Sequence, residues 1–504
     1  MSQINNKQIA KNTIFLYIRM IAVMVIGLYT VRAYLSILGE TDYGIYNVVG
    51  GVVSMFTFLN GTLATSSQRY FSQAMVDDDK RIVNRVFCLN LTIYVVLIIA
   101  IFVILETVGL WFLNAKMTIP DERLTAANVV YQLSILTFAF QMFSIPYNAL
   151  IISREKMKAF AYIGILEAVL KLGFVFVLMQ IEYDKLISYA LFMLFLYLLI
   201  AALYIYYCQR NFEESHLRFY WNRQEALEML SFSGWHLFGT FSVTIRSHGI
   251  NILLNMFFSP AVNAARAVAF QVYNAVSQLS NNFFTAVKPQ IYKSYTAGEK
   301  EGLYKLILRS TIMSTLLVSV LVFPILVNTS YIFGLWLDEV PENTVIFTQL
   351  VLINGLIDTT NGPTIASVLA TGKIRNYEII VGTLFILNLP ISYVALKLGC
   401  EPSVTMVISI IIAVIVTFVR ALLMCRMIGF DFSKYVVCFL RLSLASFLIW
   451  IISYFTIAKT AASFLSLLWQ SVYVCVITIL FYAFIVCNRE DLKIVYNYVR
   501  NYLK

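Results

Sequence analysis

Apolar runs of more than 20 residues dominate the chain, with short polar gaps between them. A helix needs about 20 mostly apolar residues to cross roughly 30 Å of hydrocarbon. By that measure the sequence predicts fourteen spans, at 13–38, 44–67, 83–113, 123–152, 159–180, 186–208, 229–258, 261–287, 303–333, 343–371, 377–397, 403–425, 435–457 and 466–487. Backbone groups cannot go unsatisfied in lipid, so runs of this length must be helices. The pattern lacks the short segments of alternating polarity that build a membrane barrel. The expected fold class is an all-α polytopic membrane protein.

The gaps set the orientation. Let the N-terminus and every second gap lie inside. The inner segments with their adjoining span ends then hold 25 Lys/Arg and 14 Asp/Glu. The outer gaps with their adjoining span ends hold 5 Lys/Arg (Lys116, Arg123, Lys185, Lys397, Lys459) and 10 acids, among them Glu40, Asp42, Asp338 and Glu339. This bias follows the positive-inside rule and puts both termini in the cytoplasm. The net charge of +10 therefore reports membrane orientation, and nucleic acid is not an expected partner.

Composition narrows the function further. Mean hydropathy is +0.79 and charged residues make up 13%, against about 25% in soluble domains. The longest gap, 209–228, is too short for a soluble domain. The first apolar run has no small-residue cleavage site behind it and reads as a retained anchor. Of seven cysteines only Cys400 falls in an outer gap, so no disulfide framework is expected. Metalloprotease, NTPase and hydrolase motifs do not occur. The histidines His236 and His248 are twelve apart, a third of a turn off a common face, and no metal or cofactor is expected.

An internal repeat organises the spans. Pro146 followed by Lys156-Met157-Lys158-Ala159-Phe160 returns as Pro363 followed by Lys373-Ile374-Arg375-Asn376-Tyr377, an offset of 217 residues. At an offset of 220, Ser54, Thr57, Gly61, Thr65 and Gln68 align with Asn274, Ser277, Asn281, Thr285 and Lys288. Steps of three and four keep each set on one helical face. Packing of small residues is a sufficient reason for the first stripe. Gln271, Asn274, Gln278, Asn281 and Asn282 are bulkier, and a wet cavity explains them better. Both halves start and end inside, so the repeat is parallel. The expected division is a six-helix lobe at 1–208, a cytoplasmic inter-lobe loop at 209–228, a second six-helix lobe at 229–426, and two extra helices with a cytoplasmic tail at 427–504.

The run from Asn12 to Arg69, with Leu38-Gly39-Glu40-Thr41-Asp42-Tyr43-Gly44-Ile45-Tyr46 at its first outer turn, resembles polysaccharide flippases of the multidrug/oligosaccharidyl-lipid/polysaccharide exporter superfamily. The 6+6+2 helix plan extends the resemblance along the chain. It implies flipping of undecaprenyl-diphosphate-linked O-antigen or capsule repeat units across the bacterial inner membrane. The implied partners are that lipid-linked oligosaccharide, membrane lipid, and the polysaccharide polymerase and export machinery.

Ionised groups inside a membrane are costly and usually face protein or a cavity. Arg19, Arg420 and Arg441 lie near the inner surface and can snorkel to it; Arg32 and Glu106 lie near the outer one. Glu167 and Lys171 have ion-pair spacing, which fits a self-neutralising pair or a proton-coupling role. Asp358 lies deep in Asn354-Gly355-Leu356-Ile357-Asp358-Thr359-Thr360-Asn361-Gly362-Pro363, either at a broken transport helix or in a set of groups that satisfy a proline kink. Arg246 is too deep to snorkel and has no acid nearby in its own span, and Arg266 enters the next span. Guanidinium groups suit a diphosphate, and the related lipid-precursor flippases likewise put cations in a central cavity. The expected substrate-binding set is Arg246, Arg266, Asn274, Gln278 and Asn281, and the expected coupling set is Asp358, Glu167 and Lys171. A drug/cation antiporter of the same fold is the nearest rival, and an integral membrane polysaccharide-modifying enzyme the rival of another class. The antiporter predicts unpaired acids in the first lobe; the enzyme predicts a large outer loop or an acid/base cluster.

Overall fold

The computed structural model describes residues 6–486, apart from 55, 77–78, 117–120, 219, 259, 338–339 and 458–462. Asp338, Glu339, Lys459, Cys487 and the expected cytoplasmic tail lie outside the described residues, as do the side chains of Arg32, Glu40, Ser54, Thr57 and Lys116. Helices and turns are the only elements among the described residues. The chain divides into two compact units, Met1–Leu237 and Phe238–Lys504.

The first unit contains α1 (Asn6–Ser54), α2 (Thr57–Ala74), α3 (Lys80–Ile104), α4 (Leu110–Lys116), α5 (Leu124–Ser153), α6 (Met157–Gln180), α7 (Lys185–Asn211) and the start of α8 (Arg223–Phe257). α5 is its centre, packed against α2 and α7, while α1 lies along α6. Phe71, Phe87, Tyr147, Leu150 and Leu196 form one buried cluster. Short polar side chains start the helices. Asp184 accepts from the amides of Leu186 (3.0 Å) and Ile187 (3.2 Å) and caps α7, and Asp79 does the same for α3 through Arg81.

The second unit holds the rest of α8, then α9 (Pro260–Thr296), α10 (Lys300–Trp336), α11 (Thr344–Thr360), α12 (Gly362–Thr371), α13 (Arg375–Ile386), α14 (Asn388–Lys397), α15 (Val404–Ile428), α16 (Phe432–Thr456) and α17 (Phe464–Phe481). α9 packs on α10, α11 and α12, and α15 covers α11 and α12. Glycines permit this approach: a Cβ at Gly362 would lie 2.2 Å from the Phe284 ring. The two extra helices, α16 and α17, pack on α10, where Leu442, Ile449, Val474 and Tyr482 join Val318 and Val322.

From span 3 onward each expected span has its helix or helix pair. Nine helices are long and apolar enough, by length and composition alone, to cross a membrane among the described residues. Spans 10 and 11 are each split in two. The first breaks at Asn361, before Gly362-Pro363, and the second at Leu387, three residues before Pro390. Proline removes an amide donor and crowds the carbonyl four residues back.

The first two spans depart from expectation. The outer turn expected at 39–43 is helical, and α1 continues unbroken from Asn6 to Ser54. The break comes later, where the Phe56 amide turns back to the Val53 carbonyl at 3.0 Å. No proline lies between Asn6 and Ser54. Gly39 and Gly44 lower helix propensity, by about 1 kcal/mol each, without removing any hydrogen bond.

The repeat is visible in the backbone. The Glu155 amide donates to Ile152 O at 2.9 Å, and the Gly372 amide donates to Leu369 O at 3.2 Å. Both turn residues are left-handed, with φ of 58° and 75°. Donor and acceptor keep the offset read from the sequence, and each turn leads into the next helix.

Candidate functional site

In the second unit, α8, α9, α11 and α15 enclose a cavity of about 50 Å³, lined by Arg246, Ser247, Arg266, Tyr273, Asn354 and Asp358 among others. That volume holds a few waters and is well below the roughly 300–1,000 Å³ of small-molecule pockets. Three of the expected residues, Arg246, Arg266 and Asp358, thus meet in one place. Asn274, Gln278 and Asn281 do not line it; all three are exposed on α9. Amide side chains exposed along the middle of such a helix are better served by water than by lipid.

Asp358 stands in the last turn of α11, where the Asn361 amide donates to its carbonyl at 3.0 Å. Asn354, one turn earlier, donates to Asp358 Oδ2 at 2.8 Å. Beyond the break, Asn361 donates to Thr417 Oγ1 of α15 at 2.9 Å. The Tyr273 hydroxyl of α9 and two guanidinium groups, Arg246 of α8 and Arg420 of α15, also interact with the carboxylate.

Arg246, read as a cation with no acid in its own span, shares the cavity lining with Asp358 of α11. Sequence proximity could not reveal this, because the acid comes from another helix. Arg420, expected to anchor near the inner surface or to pack, lies with its Cζ 5.3 Å from the Phe385 ring centroid, and Arg246 Cζ lies 4.5 Å from the same centroid. Such distances are typical of cation–π contact. Neither arginine closes an ion pair with Asp358 among the described pairs, and Arg246 Nη1 and Arg420 Nε are buried without an acceptor. Arg266 donates to Asn251 Oδ1 and lies 4.2 Å over the Phe270 ring. Phe385 and Tyr273 carried no signal in the sequence that set them apart from core aromatics.

The first unit holds the other expected charges. Lys171 Nζ donates to Glu167 Oε1 at 2.7 Å and to the Tyr197 hydroxyl at 3.1 Å. Tyr34 donates to the Lys171 carbonyl at 2.9 Å, which ties α1 to α6. The acid is therefore matched on its own helix. Among the described residues no group of three His, Cys, Asp or Glu is placed to hold a metal.

The fold defines an all-α polytopic membrane protein of the MATE type. It is similar to a multidrug resistance MATE family transporter of the MOP superfamily in an outward-facing conformation. The TM-score is 0.70 at 13% identity, over 84% of this chain and 96% of that one. A MOP superfamily transporter from Pyrococcus furiosus, described by a binding pocket of reverse polarity, gives 0.69 at 13% over 83% and 96%. MATE in its straight conformation gives 0.69 at 15% over 84% and 96%. At such identities the likeness is one of fold. No curated protein matches the sequence. The chain belongs to the polysaccharide biosynthesis protein family, whose pattern matches residues 9–295.

Proposed function

We propose that the protein is a flippase that carries an undecaprenyl-diphosphate-linked oligosaccharide, an O-antigen or capsule repeat unit, across the bacterial inner membrane by alternating access. Membrane lipid and the polysaccharide polymerase and export machinery are the accompanying partners, and both termini lie in the cytoplasm. The observation that carries this reading is the balance of charge in the second unit. Arg246 and Arg266 line one cavity with a single carboxylate, Asp358. Membership of the polysaccharide biosynthesis family supports reading that cationic excess as suited to a lipid-linked saccharide.

A bare diphosphate would cost on the order of tens of kcal/mol to bring into hydrocarbon. Guanidinium groups offset that cost with charge-assisted, bidentate hydrogen bonds. The 50 Å³ cavity is too small for the cargo, so on this reading the arrangement is a resting one that opens when the cargo enters. A cation antiporter would need a free acid, whereas Glu167 is held by Lys171.

Arg246→Ala is expected to stop surface polysaccharide while lipid-linked repeat units accumulate facing the cytoplasm. Arg246→Lys should rescue in part, since it keeps the charge and loses the planar fork. Stable insertion of Arg246→Ala with wild-type export would defeat the reading.

A further inference from the structure

The cavity of the second unit carries more positive charge than its own groups neutralise. Among the described residues that line it, the charged ones are Arg246, Arg266 and Asp358, two guanidinium groups against one carboxylate. We infer that this cavity is a binding site for one small monovalent inorganic anion, such as chloride, held between Arg246 of α8 and Arg266 of α9.

Both arginines have donors to offer. Arg246 Nη1 and Arg266 Nε are buried and have no acceptor in the protein. Arg266 is only 4% exposed. It makes no ion pair among the described pairs, and its Nη1 donates to Asn251, a neutral amide. Each guanidinium rests on a ring, Arg246 on Phe385 at 4.5 Å and Arg266 on Phe270 at 4.2 Å. A ring face attracts a cation without cancelling its charge. Arg420, 5.3 Å from the Phe385 centroid, adds a further cation beside the cavity. Asp358 is met by the neutral Asn354 amide at 2.8 Å.

Water could satisfy the two N–H groups, but it would leave the net charge in place. An uncompensated charge in a low-dielectric interior is expensive. A monovalent anion answers both needs: it accepts from the arginines and balances the one cation that Asp358 does not. Size agrees, since a cavity of about 50 Å³ has room for a few waters and so for one monatomic ion. A diphosphate exceeds both the space and the charge of this arrangement. On the transport reading, the small anion would leave as the cavity opens to its cargo.

Purified full-length protein would be titrated with sodium chloride, with sodium gluconate holding the ionic strength constant, while the width of the chloride NMR line is recorded. Gluconate carries the same charge and is too large for the cavity, so it controls for salt. The wild type is expected to broaden the line saturably beyond a detergent blank. Arg266→Gln should weaken chloride binding about tenfold, roughly the worth of one charge-assisted hydrogen bond, and Arg266→Lys should restore part of it.

A wild type without saturable broadening, or wild-type affinity in Arg266→Gln, overturns the inference. Should the Arg266 variants fail to insert, wild-type crystals soaked in bromide decide the matter. An anomalous peak between Arg246 and Arg266 supports the site, and no peak there overturns it. Chloride binding needs no cargo, so its failure leaves the transport reading standing. Failure of that reading shows instead in the surface polysaccharide of the Arg246 variants.

Discussion

Glu155 and Gly372 occupy the same turn in the two halves of the chain, each left-handed and each donating its amide to the carbonyl three residues back. The left-handed region costs an L-residue roughly 1–2 kcal/mol, and glycine nothing comparable. Gly372→Ala should therefore lower stability by about 1 kcal/mol, while Gly372→Asn, better suited to this region, should lose less. Thermal unfolding of the detergent-solubilised protein measures the difference. Equal stability of Gly372→Ala and wild type would mean that the turn relaxes out of the left-handed region.

The Glu167–Lys171 pair allows two readings that a paired substitution distinguishes. Removing one partner of a fully buried pair costs about 3–5 kcal/mol. Here the side chains keep 25% and 29% of their exposure, which puts the expected cost at the low end of that range, about 3 kcal/mol. Glu167→Gln should be destabilised by that amount, and Glu167→Gln with Lys171→Met should recover most of it. If the pair is structural, export recovers along with stability. A stable double variant that cannot export would assign Glu167 to ion coupling.

The segment 212–218 is fastened to the rest of the first unit by unequal contacts. Glu214 is buried and accepts from Arg154 Nε at 2.7 Å, and Asn84 donates to the carbonyls of Glu214 and His216, both at 2.8 Å. Beneath it, Cys88 Sγ accepts from the Arg218 amide at 3.3 Å. Glu213 meets Lys80 at 2.9 Å on the open surface. Glu214→Ala should loosen the segment, by up to about 3 kcal/mol, and expose Cys88 to thiol reagents in inside-out vesicles. Glu213→Ala should leave Cys88 shielded. The hydrogen bond from Lys80, helped by its charge, holds the Glu213 carboxyl below its ordinary value. That contact is therefore present above the ordinary carboxylate value and lost as pH falls through the lowered one, and its loss should not release the segment. Labelling of Cys88 in Glu213→Ala equal to that in Glu214→Ala would refute the ordering.

Helix positions were readable because crossing a bilayer imposes a length and composition that few other structures share. The break in span 10 could be placed from Gly362-Pro363, since proline cannot continue an undisturbed hydrogen-bond ladder, whereas the break in span 11 before Pro390 was not anticipated. The turn at 39–43 was misplaced because glycine permits a turn without enforcing one. Glu167 and Lys171 could be paired because they share one helix, whereas partners on different helices could not be read. Arg246 and Asp358 lie in different helices, and only packing brings them to one cavity. Arg420 was passed over because its depth allows snorkelling, and depth says nothing about which aromatic ring a guanidinium will rest on.

Cys400 offers the most direct test of topology. It follows Gly399, whose φ of 86° ends α14, and its side chain is exposed. Cys88, Cys208 and Cys425 are buried, and Cys438 and Cys475 are half-buried in helices. Cys208 is further shielded by its contact with the Tyr147 carbonyl at 3.5 Å. A membrane-impermeant maleimide reacts only with an accessible thiolate. Applied to cells with the outer barrier permeabilised, it should label the wild type, and Cys400→Ser should abolish the signal. Labelling that survives Cys400→Ser would mean that another cysteine reaches the outside and that the order of spans is wrong. Labelling of Cys400 only in inside-out vesicles would invert the orientation, leave the helices in place, and contradict the charge bias from which the orientation was read.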